Sequence, residues 1–288
     1  MALVVESTAN NSSTSNALTI TKPASLVAGD LMVASLQFYS NTSSDNVATL
    51  SGWTSAVNQE SPGAEISVQY KVADSGDVAA SNFTFSASGT DGVLFGGSIM
   101  RVSESAGFDA ADGDVLNNVG TTTPSFPTTV SPAVNGSLVI IAVIGYGNTG
   151  TGAFTGFSVS GDTLLFTELH DYTVDSGSDD EIMASAYSIQ STATAFTAYN
   201  AVVSPSKDDF VGAIAVFSPV VNATGANTFF VTTTEPFAQA GTADTTISNT
   251  FFTTETDTTM FAQNGKGTAP TQWTNEAKPS TTWVNETK

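Results

Sequence analysis

The 288-residue sequence contains no cysteine. This absence excludes disulfide frameworks, thiolate metal sites and cysteine nucleophiles. Basic residues are also scarce, with 7 Lys and Arg against 27 Asp and Glu and a formal net charge of −20. Because affinity for nucleic acid depends on Lys and Arg displacing counterions from phosphates, we predict no nucleic-acid binding.

Long apolar runs are missing as well. The longest candidate, residues 138–146, is far shorter than the roughly 20 residues of a membrane-spanning helix, so we predict no membrane insertion. The opening segment, MALVVESTANNSS, has neither a basic region nor an extended apolar region. We therefore expect synthesis in the cytoplasm without a signal peptide.

Helical periodicity is nearly absent, whereas short β-branched and aromatic runs recur throughout. The sequence therefore predicts an all-β protein, an antiparallel β-sandwich of jelly-roll or Greek-key type. Residues 4–6 and 17–21 are predicted strands around a polar loop. Trp53 follows Gly52, and we interpret it as a core aromatic residue, with a sugar-binding platform as the alternative.

An internal duplication organises the pattern. Residues 135–146 (NGSLVIIAVIGY) repeat the design of residues 28–39 (AGDLMVASLQFY), with Leu138 lying 107 positions after Leu31. A second set is offset by 115 residues: Phe95, Gly97, Ile99 and Ser103 correspond to Phe210, Gly212, Ile214 and Ser218. Chance similarity between sandwich strands is the alternative explanation.

The duplication predicts a domain at residues 1–219, with halves at about 1–103 and 135–219. Residues 104–134, rich in Pro, Gly and Asp, are predicted to be an extended crossover along an edge. An interleaved single sandwich and two separate small sandwiches both fit this pattern. The long crossover favours the interleaved form.

Residues 220–288 are predicted to form an extended C-terminal arm with its own short repeats. The arm has few aliphatic residues, but it carries large aromatic residues that so short a segment cannot bury alone. We expect these residues to dock on another surface, as interaction residues of a homo-oligomer. They are Phe229, Phe230, Phe237, Phe251, Phe252, Phe261, Trp273 and Trp283. A self-contained C-terminal domain is the alternative.

Candidate chemistry is sparse. His170 is the only histidine, and we interpret it as a half-exposed strand residue, since no Gly-x-Ser-x-Gly elbow accompanies it. Paired carboxylates of a glycosidase type remain open. We assign no catalytic residues and no cofactor.

Two acidic clusters have oxygen ligands of the kind that calcium prefers, although neither fits the EF-hand register. Solvated loop charge is the default interpretation of both, and calcium is the alternative. The first cluster is Asp109, Asp112 and Asp114, and the second is Asp175, Asp179, Asp180 and Glu181.

Four segments in order resemble a β-sandwich module found in many phage virion proteins. They are residues 18–23 (LTITKP), 28–34 (AGDLMVA), 51–54 (SGWT) and 69–73 (QYKVA), and they span roughly the first hundred residues. The second half departs from this pattern, with LLF at 164–166 where Gly-Trp is expected. The terminal repeat, WTNEAK and then WVNETK, is similar to short repeats at the ends of phage structural proteins.

The resemblance implies a non-enzymatic protein of the virion surface, made in the host cytoplasm: a capsid decoration or cement protein, or a head, collar or tail fibre component. Its implied partners are copies of itself, with a trimer favoured, and other virion proteins reached through the arm. The alternative is a carbohydrate-binding or adhesin domain that recognises host-surface glycans, with Trp273 and Trp283 as stacking residues.

Overall fold

The computed structural model describes residues 3–40, 46–88, 92–147, 150–174 and 180–220. Met1–Asn222 forms one compact unit. Antiparallel strands make up nearly all of its regular structure, which confirms the predicted all-β fold. The predicted arm lies outside the described residues, apart from its first residue, Val220.

The first half of the chain contributes seven strands and a single helical turn, α1 (Ser75–Ala79). The strands are β1 (Val4–Ser13), β2 (Ala17–Thr21), β3 (Leu31–Ser40), β4 (Thr54–Ser61), β5 (Ala64–Val72), β6 (Asn82–Ser86) and β7 (Gly92–Ser103).

The second half contributes eight strands. They are β8 (Ser105–Leu116), β9 (Ser125–Pro127), β10 (Leu138–Tyr146), β11 (Ala153–Ser160), β12 (Thr167–Val174), β13 (Glu181–Ile189), β14 (Ala198–Ser204) and β15 (Asp209–Pro219).

Each half builds one large and one small sheet. The first large sheet has the order β1-β7-β3-β5-β4, and the second has the matching order β8-β15-β10-β13-β12. The small sheets are β2-β6 and β9-β14-β11. Among the described strands every ladder joins strands of the same half, so the preference for an interleaved sandwich is wrong.

The sheets stack in four layers. The large sheets face each other, with Val33 and Met100 of one packing in a cluster with Ile140 and Phe217 of the other. Each small sheet covers the outer face of its own large sheet. The central strands β3 and β10 are therefore buried on both sides, which explains why β10 is apolar throughout and β3 is largely apolar.

Strand pairing confirms the duplication residue by residue, because aligned residues oppose aligned partners in both halves. Phe95 pairs with Phe38 as Phe210 pairs with Gly145, Ile99 pairs with Ala34 as Ile214 pairs with Ile141, and Tyr70 pairs with Val33 as Tyr187 pairs with Ile140.

The edges of both large sheets carry β-bulges at matching positions. Glu6 in β1 corresponds to Asp109 in β8, and Ala56 in β4 corresponds to Leu169 in β12. Each edge ladder is interrupted at its bulge. A bulge bends an edge strand and opposes pairing with a further chain, so strand addition along these edges is disfavoured.

The two halves are related by an approximate two-fold axis along the strands. β4 contacts β8, and their counterparts β12 and β1 also contact each other, over a smaller area. Tyr39 and its counterpart Tyr146 pack ring to ring, with centroids 5.4 Å apart. A residue touches its own counterpart only close to such an axis.

This symmetry gives the unit two distinct ends. At the base, where β3 and β10 begin, Val4 pairs with Ser103, and Val220 donates its backbone N–H to the carbonyl of Glu104. At the opposite end, the tip, β3 and β10 finish. The strand ends that connect to residues 41–45, 89–91, 148–149 and 175–179 all lie at this tip.

Two boundaries differ from the sequence prediction. β1 continues through the predicted polar loop to Ser13, because its backbone ladder with β7 holds it as an edge strand. The predicted crossover contains β8 and β9, so the second half begins at Ser105 and not near residue 135. The predicted edge position is nevertheless that of β8, which pairs only with β15 among the described strands.

Candidate functional site

A buried polar cluster joins the two halves, and we call Gln37, His170 and Ser185 the seam cluster. His170 Nε2 lies 2.7 Å from Gln37 Oε1, and Ser185 Oγ lies 3.3 Å from His170 Nδ1. Gln37 also donates its amide N–H to the carbonyl of Ala184 at 2.6 Å. Gln37 comes from β3, whereas the other two side chains come from the opposite sheet.

The hydrogen bonds assign one protonation state to His170. Because the Gln37 amide nitrogen donates to Ala184, its oxygen accepts from His170 Nε2–H, and the Ser185 hydroxyl donates to Nδ1. Burial lowers the pKa of the imidazole to about 3. The neutral ring is thus satisfied at both nitrogens.

The pairing of Ser185 with His170 has the atoms of a nucleophile and base, but not the setting. Ser185 is fully buried and His170 is only 6% exposed, so a substrate cannot reach either side chain. An amide oxygen, not a carboxylate, faces the second ring nitrogen. The prediction of a half-exposed histidine is wrong, because the second half-sandwich packs His170 against the first.

The repeat shows what this cluster replaces. The counterparts of Gln37, His170 and Ser185 in the other half are all aliphatic: Ile144, Val57 and Val68 respectively. These counterparts contribute to the apolar clusters between the large sheets. In the contact between the two large sheets, which we call the seam, the seam cluster is therefore polar and its hydrogen bonds are directional, whereas the matching positions are apolar.

The first acidic cluster is engaged in structural hydrogen bonds. Asp109 Oδ2 accepts from the Ala133 N–H at 2.8 Å and from the Ser218 hydroxyl at 3.0 Å. Its counterpart Glu6 accepts from Ser103 in the same way, at 2.7 Å. A bulge acid bonded to the serine of the neighbouring strand is thus a repeated feature of the fold.

The other two acids of this cluster also have internal partners. Asp112 accepts from the Thr128 hydroxyl at 2.8 Å, and each of Asp112 and Asp114 accepts from the N–H of the residue that follows it. These bonds favour a structural role over a calcium site.

The second acidic cluster is only partly within the described residues. Asp175 and Asp179 lie outside them, whereas Asp180 and Glu181 are buried at the tip. Asp180 accepts from the Gly150 N–H, and buried Lys207 donates to the Gly150 carbonyl at 3.0 Å. Within the described part of the chain, no group of three or more His, Asp and Glu side chains is arranged to hold a metal ion.

Two further carboxyl groups are perturbed by their surroundings. Burial raises the pKa of Glu65 to about 7, and its Oε1 accepts from the Val47 N–H at 2.9 Å. Burial and the nearby charge of Glu168 raise the pKa of Asp171 to about 7. Asp171 accepts from the Phe154 N–H, and Phe154 belongs to the outer core of the second half, the apolar cluster between its large and small sheets. Val47, the partner of Glu65, belongs to the corresponding cluster of the first half.

Glu65 and Asp171 therefore do not form the close pair that glycoside hydrolysis uses. Sequence reasoning did not distinguish either of them from a solvent-facing acid. The repeat does indicate that Glu65 is buried, because the matching position in the second half holds the buried apolar Ile182.

The aromatic candidates divide between core and arm. Trp53 is buried and packs edge-on against Phe83 and Phe85, which confirms its interpretation as a core aromatic residue. Its counterpart is Phe166, which packs against the outer core of the second half. All the predicted interaction residues, from Phe229 to Trp283, lie outside the described residues.

Comparison with known proteins adds no relative: no family model, curated protein sequence or solved structure matches this chain. Among the described residues, no helix is long and apolar enough to cross a membrane.

Proposed function

We propose that this protein is a non-enzymatic structural component of a bacteriophage particle, of the capsid decoration or fibre type, that assembles through its C-terminal arm. The observation that carries the proposal is that the two ends of the unit differ. Val220, the first residue of the arm, lies at the base beside Glu104, whereas the strand ends that lead into the polar connections of both halves lie at the tip.

Such an arrangement separates attachment from display. A base that holds the arm is suited to contact with the particle, and a tip of Ser-, Thr-, Asn- and Gly-rich connections is suited to exposure. Bulges at all four large-sheet edges oppose uncontrolled strand addition, which supports assembly through the arm instead. The duplicated core then serves as a rigid scaffold of stacked sheets.

The net charge of −20 supports a surface location. A strongly acidic and lysine-poor surface is soluble and is repelled by nucleic acid, so the protein would not adhere to packaged or released genomes. This charge is compatible with display on a particle.

Glycan recognition is the alternative function, and it depends on the ten-residue repeat that presents Trp273 and Trp283. Trp53 cannot contribute to it, because its ring is buried in the core. Binding to a glycan array that is abolished by Trp273→Ala or Trp283→Ala would favour this alternative.

The virion role is tested on intact particles from cells that produce the protein. An antibody raised against residues 1–219 should label sedimented, unopened particles, and the protein should be absent from particles made with a chain that ends at Pro219. Protein found only in the soluble fraction would overturn the virion role. Full incorporation of the shortened chain would overturn the role of the arm.

A further inference from the structure

Exposed apolar side chains concentrate at the base of the unit. Val27 is 51% exposed and Val72 is 59% exposed, and both lie next to the start of β3. Phe108, at 39%, pairs with Phe217 at the corresponding end of the second sheet. Isolated exposed apolar residues are normal, but a group at one end needs an explanation.

Val72 and Phe108, together with the half-buried Tyr70, form a surface that we call the base patch. The rings of Tyr70 and Phe108 stack with centroids 5.7 Å apart and an interplanar angle of 16°. Tyr70 also meets buried Phe217 edge-on at 5.6 Å. Val72 lies two positions after Tyr70 on β5 and so projects on the same side.

The repeat provides an internal comparison for this patch. Its counterparts, Tyr187, Ile189 and Val5, are all partly buried against the cluster between the large sheets, which contains buried Leu3. Of the base patch, only Tyr70 packs against that cluster, whereas Val72 and Phe108 are exposed. The counterpart of Leu3 beside the base patch is Ala106, which is exposed. Two of the three positions are thus exposed at the base patch and partly buried at its counterpart.

The chain outside the described residues starts beside this open copy. Val220 donates to Glu104, and Pro219 pairs with Ser105, only three positions before Phe108. The first aromatic pair of the arm, Phe229 and Phe230, follows after nine residues, which span at most about 32 Å when fully extended. That reach is enough to contact the base of the same unit or the base of an adjoining copy.

We propose that the base patch receives the Phe229–Phe230 segment of a neighbouring copy, so that copies associate base to base through exchanged arms. This inference rests on the proposed role of the arm in assembly and names the surface it uses. The arm offers two Phe pairs and two Trp repeats, which are more anchors than one patch of three side chains can seat. Each further copy adds one patch and one arm, so the remaining anchors need surfaces other than the base patch.

The absence of cysteine makes the proposal directly testable by disulfide trapping. The full chain carrying Val72→Cys and Phe230→Cys is oxidised and resolved without reductant. The matched control carries Thr192→Cys and Phe230→Cys. Thr192 is an exposed polar residue at the base. It follows Gln190 by two positions, and the Gln190 carbonyl accepts from the N–H of Gly136, which lies beside Pro219.

We expect disulfides between chains in the Val72 variant, at about tenfold the yield of the Thr192 control, because docking raises the local concentration of the two thiols. Equal yields in both variants would overturn the base patch as the docking surface. A disulfide within a single chain would overturn exchange between copies.

Sedimentation of the full chain and of a chain ending at Pro219 distinguishes assembly through the arm from the choice of the base patch as its docking surface. Association that requires the arm, together with equal trapping at both positions, overturns the patch and leaves the proposed function in place. A full chain that sediments as a monomer overturns the exchange of arms between copies, whereas the proposed function is overturned only if the protein is missing from the particles.

Discussion

The two halves of this protein share pairing register and bulge positions, yet they differ sharply at the seam between them. One side of the seam contains Gln37, His170 and Ser185, and the three matching positions on the other side are all aliphatic. The shared features are those that any sandwich of this topology needs. The differences show where one copy has been specialised to pack on the other in a single direction.

The largest effect is expected from breaking the polar side of the seam while leaving its partners buried. Gln37→Ile introduces the counterpart residue but orphans His170 Nε2–H and the Ala184 carbonyl, at a cost of about 1–3 kcal/mol for each group. Urea denaturation of the variant and the wild-type protein measures this cost.

The matched control converts the whole cluster to its aliphatic counterpart, with Gln37→Ile, His170→Val and Ser185→Val together. Replacing all partners of a buried polar network with apolar groups is close to neutral. The triple variant should therefore be more stable than Gln37→Ile alone. A triple variant that is less stable than the single variant would contradict this interpretation of the seam.

The next effect concerns the matched glycines Gly97 and Gly212. A Cβ at Gly97 would lie 2.8 Å from the Ser35 carbonyl oxygen, whereas one at Gly212 would lie 2.8 Å from the ring of Phe126. Alanine at either position should destabilise the fold by about 1–3 kcal/mol through overpacking. The loss should be greater at Gly97, because backbone cannot move aside as a side chain can.

A second-site change sharpens the glycine comparison. Phe126→Leu shortens the side chain over Gly212, so part of the loss in Gly212→Ala should be recovered in the double variant. The same change combined with Gly97→Ala should give an additive loss, since the two sites lie in different halves. Thermal melting of the five variants, which include Phe126→Leu alone, provides the measurement.

Stability should fall on both sides of a mildly acidic optimum. Folding lowers the pKa of His170 from 6.5 to about 3, so its contribution is present above pH 6.5 and is lost as the pH falls below that value. Folding raises the pKa of Glu65 and of Asp171 to about 7, from 4.5 and 3.8. Their contributions are present below the unfolded values and are lost as the pH rises through 7.

Each half holds one of these two carboxyl groups, so Glu65→Gln and Asp171→Asn should each reduce the loss between pH 5 and pH 8. The slope for one such group is at most about 1.4 kcal/mol per pH unit. Denaturation at both pH values tests this, with the exposed Glu104→Gln as the control. Unchanged slopes in both variants would contradict the assignment.

The smallest effect is expected at the bulge acids. Asp109→Ala removes bonds from Ala133 and Ser218, whereas Glu6→Ala removes the single bond from Ser103. Each hydrogen bond contributes about 0.5–1.5 kcal/mol, so Asp109→Ala should be the more destabilising. The melting temperature of the wild-type protein should be the same in chelator and in millimolar calcium; a rise with calcium would restore the metal hypothesis.

The sequence was informative where apolar residues carry the structure, and silent where partners come from distant segments. The buried strands β3 and β10 and the glycine match at 97 and 212 follow from pattern alone. β1 does not, since most of its side chains are polar and its backbone ladder defines it. The burial of His170 depends on Gln37, 133 residues away, so no local pattern contains it.

The account divides the protein into a duplicated scaffold and an arm that assembles it. Sedimentation velocity and thermal melting of the full chain and of a chain ending at Pro219 test that division most directly. We predict that the shortened chain melts cooperatively at nearly the same temperature but sediments as a monomer, while the full chain sediments as an oligomer. A shortened chain that still forms the oligomer, or a full chain that is monomeric, would contradict the account.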